Sequence, residues 1–406
     1  MGMGNSAAAE TSGQMPLLNR NYILMVFVNI CLSIAFYFFQ PILASYITSL
    51  GISVAIAGIV AGLFSITALV ARPFTGLLAD RISPKVVLMI ALPLEAVFGA
   101  GYGLIPSLPW IVTCRVIHAV GFALASTVTL VYGSFFIPKE RMGEGIGWLG
   151  MGVVLGTAIG PTVGLTIAEK LSFKATFLIG GAIFMIGFIL LLMTRPPKSV
   201  TEKPKEKRSI RLSDMLSVKL FPLSFMAGLL ALANGFCTAF LALHAASRGI
   251  EHVGLYFTIM AIALVVTRPL AGKIVDKKGL SVIAIPCFIV CALGLFLISR
   301  ANSFGYLALA GVLGAGQGTG MTAIQTTCVR SLPDAQRGVA SSTYYVFSDV
   351  FQGLGPMFGG RFAELTSPGQ TVTYVPLYTL GSGILIFGLI IYIVYASIRK
   401  KQGQPL

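Results

Sequence analysis

One nine-residue phrase occurs twice in this chain. Residues 72–80 read Arg-Pro-Phe-Thr-Gly-Leu-Leu-Ala-Asp and residues 268–276 read Arg-Pro-Leu-Ala-Gly-Lys-Ile-Val-Asp. Arg72, Pro73, Gly76 and Asp80 thus return 196 positions later as Arg268, Pro269, Gly272 and Asp276. A second echo lies at an offset of 195, where Gly160, Pro161 and Gly164 return as Gly355, Pro356 and Gly359. A chain of 406 residues that echoes itself at nearly half its length is one folding unit used twice.

What surrounds the repeats sets their solvent. The chain is 56% hydrophobic and 11% charged, with a mean hydropathy of +0.87. A soluble domain carries about 25% charged residues, so the excess apolar surface here faces lipid. The net charge of +15 would suit nucleic acid if it were clustered on one domain. Instead the basic residues sit in short segments beside apolar stretches, the pattern of loops in membrane proteins. All six cysteines lie within apolar segments, and Cys287 and Cys291 share a helix spacing without a second pair or a histidine cluster. They read as small buried hydrophobes rather than metal ligands.

Crossing about 30 Å of hydrocarbon takes about 20 apolar residues in a helix. Segments of that kind fall at 22–47, 54–79, 85–105, 109–135, 143–168 and 174–194, then at 219–245, 252–275, 280–299, 303–329, 338–365 and 372–397. The expected fold is all-α and membrane-integral, with twelve spans in two pseudo-symmetric six-helix bundles, 22–194 and 219–398. Residues 1–21 and 399–406 are expected as tails, and the Lys-, Glu- and Pro-rich segment 195–218 as the linker. The end of that linker reads either as a short surface helix or as a plain tether. Loops and ends on the side of the termini hold 21 Lys and Arg, from Arg20 to Lys401, against 5 in the alternate loops (Lys170, Lys174, Arg248, Arg300 and Arg361). The positive-inside rule then puts both termini and the linker in the cytoplasm, at a plasma (inner) membrane. The first apolar segment lacks a small-residue cleavage pattern and reads as a span rather than a signal peptide.

Three motifs carry a family resemblance. Gly76-Leu-Leu-Ala-Asp80-Arg81-Ile-Ser-Pro-Lys85 resembles the signature loop between the second and third spans of the major facilitator superfamily, with Ser83 and Pro84 standing where glycine and a basic residue are usual. Arg115, in Cys-Arg-Val-Ile-His-Ala-Val-Gly, resembles the arginine motif of the fourth span. Gly152-Val-Val-Leu-Gly156-Thr-Ala-Ile-Gly160-Pro161-Thr-Val-Gly164 resembles the fifth-span motif of the twelve-span drug/proton antiporters. The resemblance implies two halves that rock about a central cavity. It also implies a latch on the cytoplasmic side, formed by Gly76, Asp80 and Arg81, with Asp276 as the counterpart in the second copy.

The residues support parts of that picture on their own chemistry. Gly156, Gly160 and Gly164 are four apart, so they stack on one helix face and let a neighbouring backbone come close. Pro161 removes a backbone donor and bends the helix. Gly355, Pro356 and Gly359 offer a similar surface in the eleventh span. These seven residues are the expected interface motif, with static helix packing as the alternative. Charged groups inside a span are costly and usually functional. Asp349, in the eleventh span, is the leading candidate for proton coupling, because a carboxyl group in apolar surroundings can hold a proton near neutral pH. Glu95 reads either as a proton site or as a structural partner of Arg115. The resemblance implies that Arg115 tunes a nearby acid. Arg72 and Arg268 lie about two turns from their loops, near enough to snorkel toward headgroups.

By the superfamily arrangement, the cavity would draw on the first, fourth, seventh and tenth spans. The candidates are Asn29, Tyr37, Phe38 and Gln40; His118; Asn234 and His244; and Gln317 and Gln325. This mixed aromatic and amide lining lacks a first-span carboxylate and does not favour polycations. No GxxxxGK[ST] phosphate loop occurs, so ATP is not the expected energy source, and no cofactor, metal or enzymatic pairing of nucleophile and base is expected. The expected function is proton-coupled export of small amphipathic or metabolite-like molecules by a monomer, with small-molecule substrate, protons and lipid as partners. An importer or uniporter of a sugar, organic anion or other nutrient is the alternative, since fold alone does not set direction. A non-transporting receptor would call for soluble domains or extended loops.

Overall fold

A computed structural model describes residues 17–138, 141–195, 216–332, 337–367 and 372–402, and every regular element among them is helical. The side chains at 73, 75–81, 142–144, 269, 272–273, 276 and 337–338 lie outside that description, as do residues 1–16, 196–215 and 403–406, which hold most of the expected tails and linker.

In chain order the helices are α1 (Arg20–Phe39), α2 (Ile42–Ser49), α3 (Val54–Arg81), α4 (Pro84–Gly101), α5 (Leu108–Ser134), α6 (Met142–Lys170) and α7 (Phe173–Leu192). They continue as α8 (Phe221–Ser247), α9 (Leu255–Lys278), α10 (Ser281–Arg300), α11 (Phe304–Arg330), α12 (Arg337–Leu365) and α13 (Val375–Lys401). The first apolar segment is two helices because Pro41, which lacks an amide donor, interrupts it. Local chemistry starts and stops the others. Asn19 and Ser172 accept from backbone amides at the starts of α1 and α7, at 2.9 and 3.1 Å. Prolines occupy the first turns of α4, α5, α8 and α13, where the missing donor costs nothing. Gly279, at φ +83°, ends α9 in a conformation that side chains resist.

Among the described residues, ten spans are long and apolar enough to cross a bilayer by composition alone, counting α1 with α2 as one. The other two are α9, whose described apolar stretch is Leu255–Arg268, and α12. At 1.5 Å per residue both exceed the hydrocarbon thickness. Both pack on the other half of the molecule and line its interior. Lipid-facing surfaces are apolar, as Ile386, Phe387, Ile390 and Val394 on α13 illustrate.

Packing follows the sequence repeat. In the first half α1 packs on α6 and α7, α4 on α5 and α7, and α3 on α5. In the second, α8 packs on α12 and α13, α10 on α11 and α13, and α9 on α11. The halves meet mainly through α3 against α12 and through α6 against α9, which are equivalent contacts under the repeat, and α2 also touches α8. Loops alternate between two faces. The face that bears Arg20 and Lys401 is called the terminal face below, and the other the distal face.

Candidate functional site

The two contacts between the halves are built from small residues on the distal side. A Cβ at Gly58 of α3 would run into the Pro356 carbonyl oxygen of α12, and one at Gly62 into that of Gly353. One at Gly360 would stand 2.5 Å from the Val54 carbonyl oxygen. Only glycine permits backbones this close. The amide of Ala55, in the first turn of α3, donates to Glu364 Oε1 of α12 at 2.8 Å, placing a carboxylate at a positive helix end. On the other side, Thr162 Oγ1 of α6 meets the Gly254 carbonyl oxygen and Thr258 Oγ1, both at 2.7 Å. Toward the terminal face, Gly147 and Gly150 of α6 have nothing within 4 Å of where a Cβ would stand. The halves are therefore joined distally, while Arg268 and Tyr345, on the terminal side of the space between them, stay exposed.

Glu364→Gln keeps the acceptor and removes the charge. A carboxylate at a helix start is worth about 0.3–1 kcal/mol, so the open population at the distal face is expected to rise roughly two- to fivefold. Spin-label distances across that face measure it.

Between the halves lies a cavity with two joined lobes. The larger, of about 310 Å³, is walled by Tyr37, Gln40 and Pro41 from the first span, by Val153, Thr157 and Pro161 of α6, and by residues of α8, α9, α11 and α12. The smaller, of about 190 Å³, adds the aromatic side chains of Phe36, Phe64 and Phe122 and the charged pair Arg72 and Asp349. Tyr37, Gln40, Asn234, Thr238, Ser348 and Gln352 belong to both. The amides are held in place: Asn234 Nδ2 donates to Gln352 Oε1 at 3.2 Å and Gln325 Nε2 to the Tyr345 hydroxyl at 2.9 Å. Phe36 stacks on Phe122 with ring centroids 4.2 Å apart. The result is an apolar pocket with a few directed polar groups, the usual character of a small-molecule site.

One ion pair crosses the cavity wall. Arg72 Nε of α3 lies 2.8 Å from Asp349 Oδ2 of α12, and the guanidinium sits 5.6 Å from the Tyr345 ring centroid. Arg72 and Arg268 both point inward rather than snorkelling, because α3 and α9 each turn one face to the other half. Arg268 lines the larger lobe and donates from Nε to Thr322 Oγ1 at 3.0 Å.

Arg115 and Glu95 are not brought together. Arg115 is buried and donates to the Val60 and Ala61 carbonyl oxygens of α3, at 3.2 and 2.8 Å, with its guanidinium 4.5 Å from the Phe64 ring centroid. It ties α5 to the stretch of α3 that carries Gly58 and Gly62. Glu95 is fully buried in α4 against Gly121 of α5, and neither carboxyl oxygen has a hydrogen-bond partner among the described residues. The repeat places Cys291 against Gly316 in the equivalent position of the second half, and Glu95 is not among the residues that line either lobe of the cavity described above.

Of the remaining candidates, Tyr37, Gln40, Asn234, Gln317 and Gln325 line the larger lobe. Four others pack within their own half. Asn29 donates to the Leu149 carbonyl oxygen at 2.6 Å. Phe38 is buried against Gly164. His118 is hydrogen-bonded to the Tyr102 hydroxyl at 3.0 Å, and His244 donates to the Ile298 carbonyl oxygen at 2.8 Å. The glycine stripe also turns inward: Gly156, Gly160 and Gly164 meet Ser33, Tyr37 and Phe38 of α1, not the opposite half. Gly355 and Gly359 meet α8 in the same way, while Pro161 reaches the cavity and the Pro356 carbonyl reaches α3. The latch residues Gly76, Asp80, Arg81 and Asp276 have side chains outside the described residues.

Several residues at this site escape a reading of the sequence motifs. Gly58 and Gly62, with Gly353 and Gly360 opposite, form the inter-half contact, and the small-xxx-small spacing of the first pair was the available signal. Thr258 and Thr238 carry no motif at all, and Thr162 sits inside the fifth-span motif without being one of its glycines or its proline.

Comparison with known proteins bears on this geometry. The family model described as Major Facilitator Superfamily matches residues 25–356 and 244–404. The MFS-type transporter YhhS of Escherichia coli (strain K12) is 29% identical over 324 residues, covering 76% of this chain and 78% of that protein. The multi-drug resistance efflux pump PmrA of Streptococcus pneumoniae is 26% identical over 322 residues, covering 76% and 77%. Among solved structures, the nucleoside transporter NupG superposes with a TM-score of 0.73 at 16% identity, covering 94% of this chain and 99% of that one. A POT family transporter in complex with 5-aminolevulinic acid superposes with a TM-score of 0.76 at 14% identity, covering 94% and 97%. These two likenesses are of fold alone. Matched along nearly its whole length, with two helical halves around an internal cavity, the chain is a transporter, not an enzyme, and belongs to the Major Facilitator Superfamily.

Proposed function

We propose that this protein is a proton-coupled exporter of small amphipathic or metabolite-like molecules, working as a monomer by alternating access. The observation that carries the reading is the Arg72–Asp349 pair, which joins α3 of one half to α12 of the other beside the cavity. Protonation of Asp349 from outside removes its charge and ends its attraction for Arg72. Release of that proton to the cytoplasm lets the pair re-form with the cavity facing inward. Motion of the halves is thereby tied to proton movement, and a substrate bound in the larger lobe is carried the opposite way. One charge crossing about 100 mV supplies about 2.3 kcal/mol, enough to hold a substrate gradient of about fiftyfold.

The halves in this scheme are residues 22–194 and 219–398, joined by 195–218. The bias of basic residues puts both termini inside a plasma membrane, so the terminal face is the cytoplasmic one and the cavity faces the interior of the cell. On that face Asp80 and Arg81, with Asp276 in the second copy, hold the halves together when the cavity turns outward. Asp80→Asn is accordingly expected to slow transport several-fold without changing the amount of protein inserted, as measured by flux per molecule in proteoliposomes. The efflux-pump relatives support export, and the coupling acid supports antiport. The direct test is proton release from energised inside-out vesicles on addition of amphipathic compounds. Proton release that accompanies substrate and is abolished by a protonophore supports antiport; substrate movement that ignores the gradient rejects it.

A further inference from the structure

The repeat brings two arginines to the cavity but only one acid. Arg72 and Arg268 are equivalent at the 196-residue offset, and the contacts they border, α3 with α12 and α9 with α6, are equivalent as well. Arg72 finds Asp349 on α12. At the 195-residue offset that relates α12 to α6, the position of Asp349 corresponds to Val154, beside the cavity-lining Val153. The repeat thus sets valine where Asp349 stands, and Arg268 has no equivalent carboxylate. Its Nε is held by Thr322, and it forms no ion pair with an acid among the described residues. Of the charged residues that line the two lobes, Arg72 and Asp349 neutralise each other, which leaves Arg268 as a net positive charge.

An uncompensated charge within a bilayer-spanning protein is unfavourable and draws a counter-ion. Around Arg268 the wall is made for one. The Tyr345 hydroxyl and the Gln325 amide add donors on one side, while the Thr322 and Tyr344 hydroxyls donate to the Gly318 and Met321 carbonyl oxygens. Phe257, Met260, Leu264 and Met321 provide apolar surface on the same lobe, and Phe36, Phe64 and Phe122 provide aromatic surface in the joined one. We propose that the cavity binds small amphipathic organic anions, with the anionic group on Arg268 and the apolar body along these walls. This names a substrate class for the transport function proposed above and rests on that reading.

The test is binding to the purified protein in detergent, where no gradient exists and proton coupling plays no part. Three probes share one scaffold and differ in charge: phenylacetate, phenylacetamide and phenethylammonium. A ligand that binds the folded state raises apparent thermal stability with concentration. Phenylacetate is expected to raise the melting temperature in a saturable way, with the other two at least tenfold weaker. Arg268→Gln is expected to weaken the phenylacetate response at least tenfold, and Arg268→Lys to retain part of it. Val153→Asp, which supplies the missing acid from the opposite wall, is expected to abolish the response while leaving Arg268 in place. No saturable response to phenylacetate, an equal response to the amide or the cation, or an unchanged response in Arg268→Gln and Val153→Asp would overturn the inference. If phenylacetate binds as described while proton release fails in vesicles, the anion site stands and antiport falls; the reverse outcome separates them the other way.

Discussion

Asp349→Asn is expected to end proton-driven transport while leaving the protein folded and inserted. The substitution keeps the size of the side chain and its ability to accept from Arg72, but it cannot take up or release a proton. Concentrative flux should fall at least tenfold, whereas exchange of substrate down its own gradient should continue. The stability cost is set by how much solvent reaches the pair, whose side chains are 30% and 19% exposed. Exposed pairs contribute about 0–1 kcal/mol and breaking a buried pair costs about 3–5 kcal/mol. The loss here belongs between them, at about 1–2 kcal/mol. Arg72→Gln removes the partner instead and should lower stability by a similar amount while leaving the acid able to titrate. Proton flux and counterflow in proteoliposomes separate the two variants. Equal concentrative transport by Asp349→Asn and the parent would remove Asp349 from the coupling step.

The second large effect is expected from Gly62→Val. A side chain at this position has nowhere to go, since its first carbon would run into the Gly353 carbonyl oxygen of α12. Overpacking of a well-packed contact costs about 1–3 kcal/mol, and a backbone opposite cannot rotate aside as a side chain would. A penalty near about 3 kcal/mol shifts a two-state population more than a hundredfold. The variant should therefore fold, favour the state open at the distal face, and transport at least tenfold more slowly. Gly147→Ala serves as the comparison, because nothing stands within 4 Å of its would-be Cβ, and it should transport like the parent. Wild-type flux in Gly62→Val would show that the α3–α12 contact does not have to close.

How these positions came to light differs with the physics behind each. Span length and apolarity are local properties, so the helices of both halves are legible in the chain, α12 included, even with Asp349, Arg361 and Glu364 within it. The interruption at Pro41 is also local in cause, although the sequence reading treats 22–47 as one segment. Glycines spaced by four announce that another backbone comes close, and it does. The spacing carries no label for the neighbour, however, and Gly156, Gly160 and Gly164 meet α1 rather than the other half.

Charged residues show the same division. That Asp349 and Arg72 lie within spans can be read directly, but their meeting joins positions 277 apart through two different helices. Only the assembled bundle reveals it. His118 and His244 look like cavity residues in the linear order, yet buried partners in their own halves, Tyr102 and the Ile298 carbonyl, hold both of them. A helix has several faces, and sequence position alone does not say which one turns to the cavity.

Distance measurements across both faces of one protein test the rocking of the two halves most directly. Spin labels on Leu171→Cys and Glu251→Cys would report on the distal face, and labels on Phe135→Cys and Val218→Cys on the terminal face, since all four positions are exposed. The six native cysteines, which are all unpaired, are replaced first. On addition of a transported compound, the distal distance should lengthen while the terminal distance shortens, and acidification should reverse both changes. Distances that lengthen together, or that stay fixed while the same protein transports, would contradict alternating exposure of a single cavity.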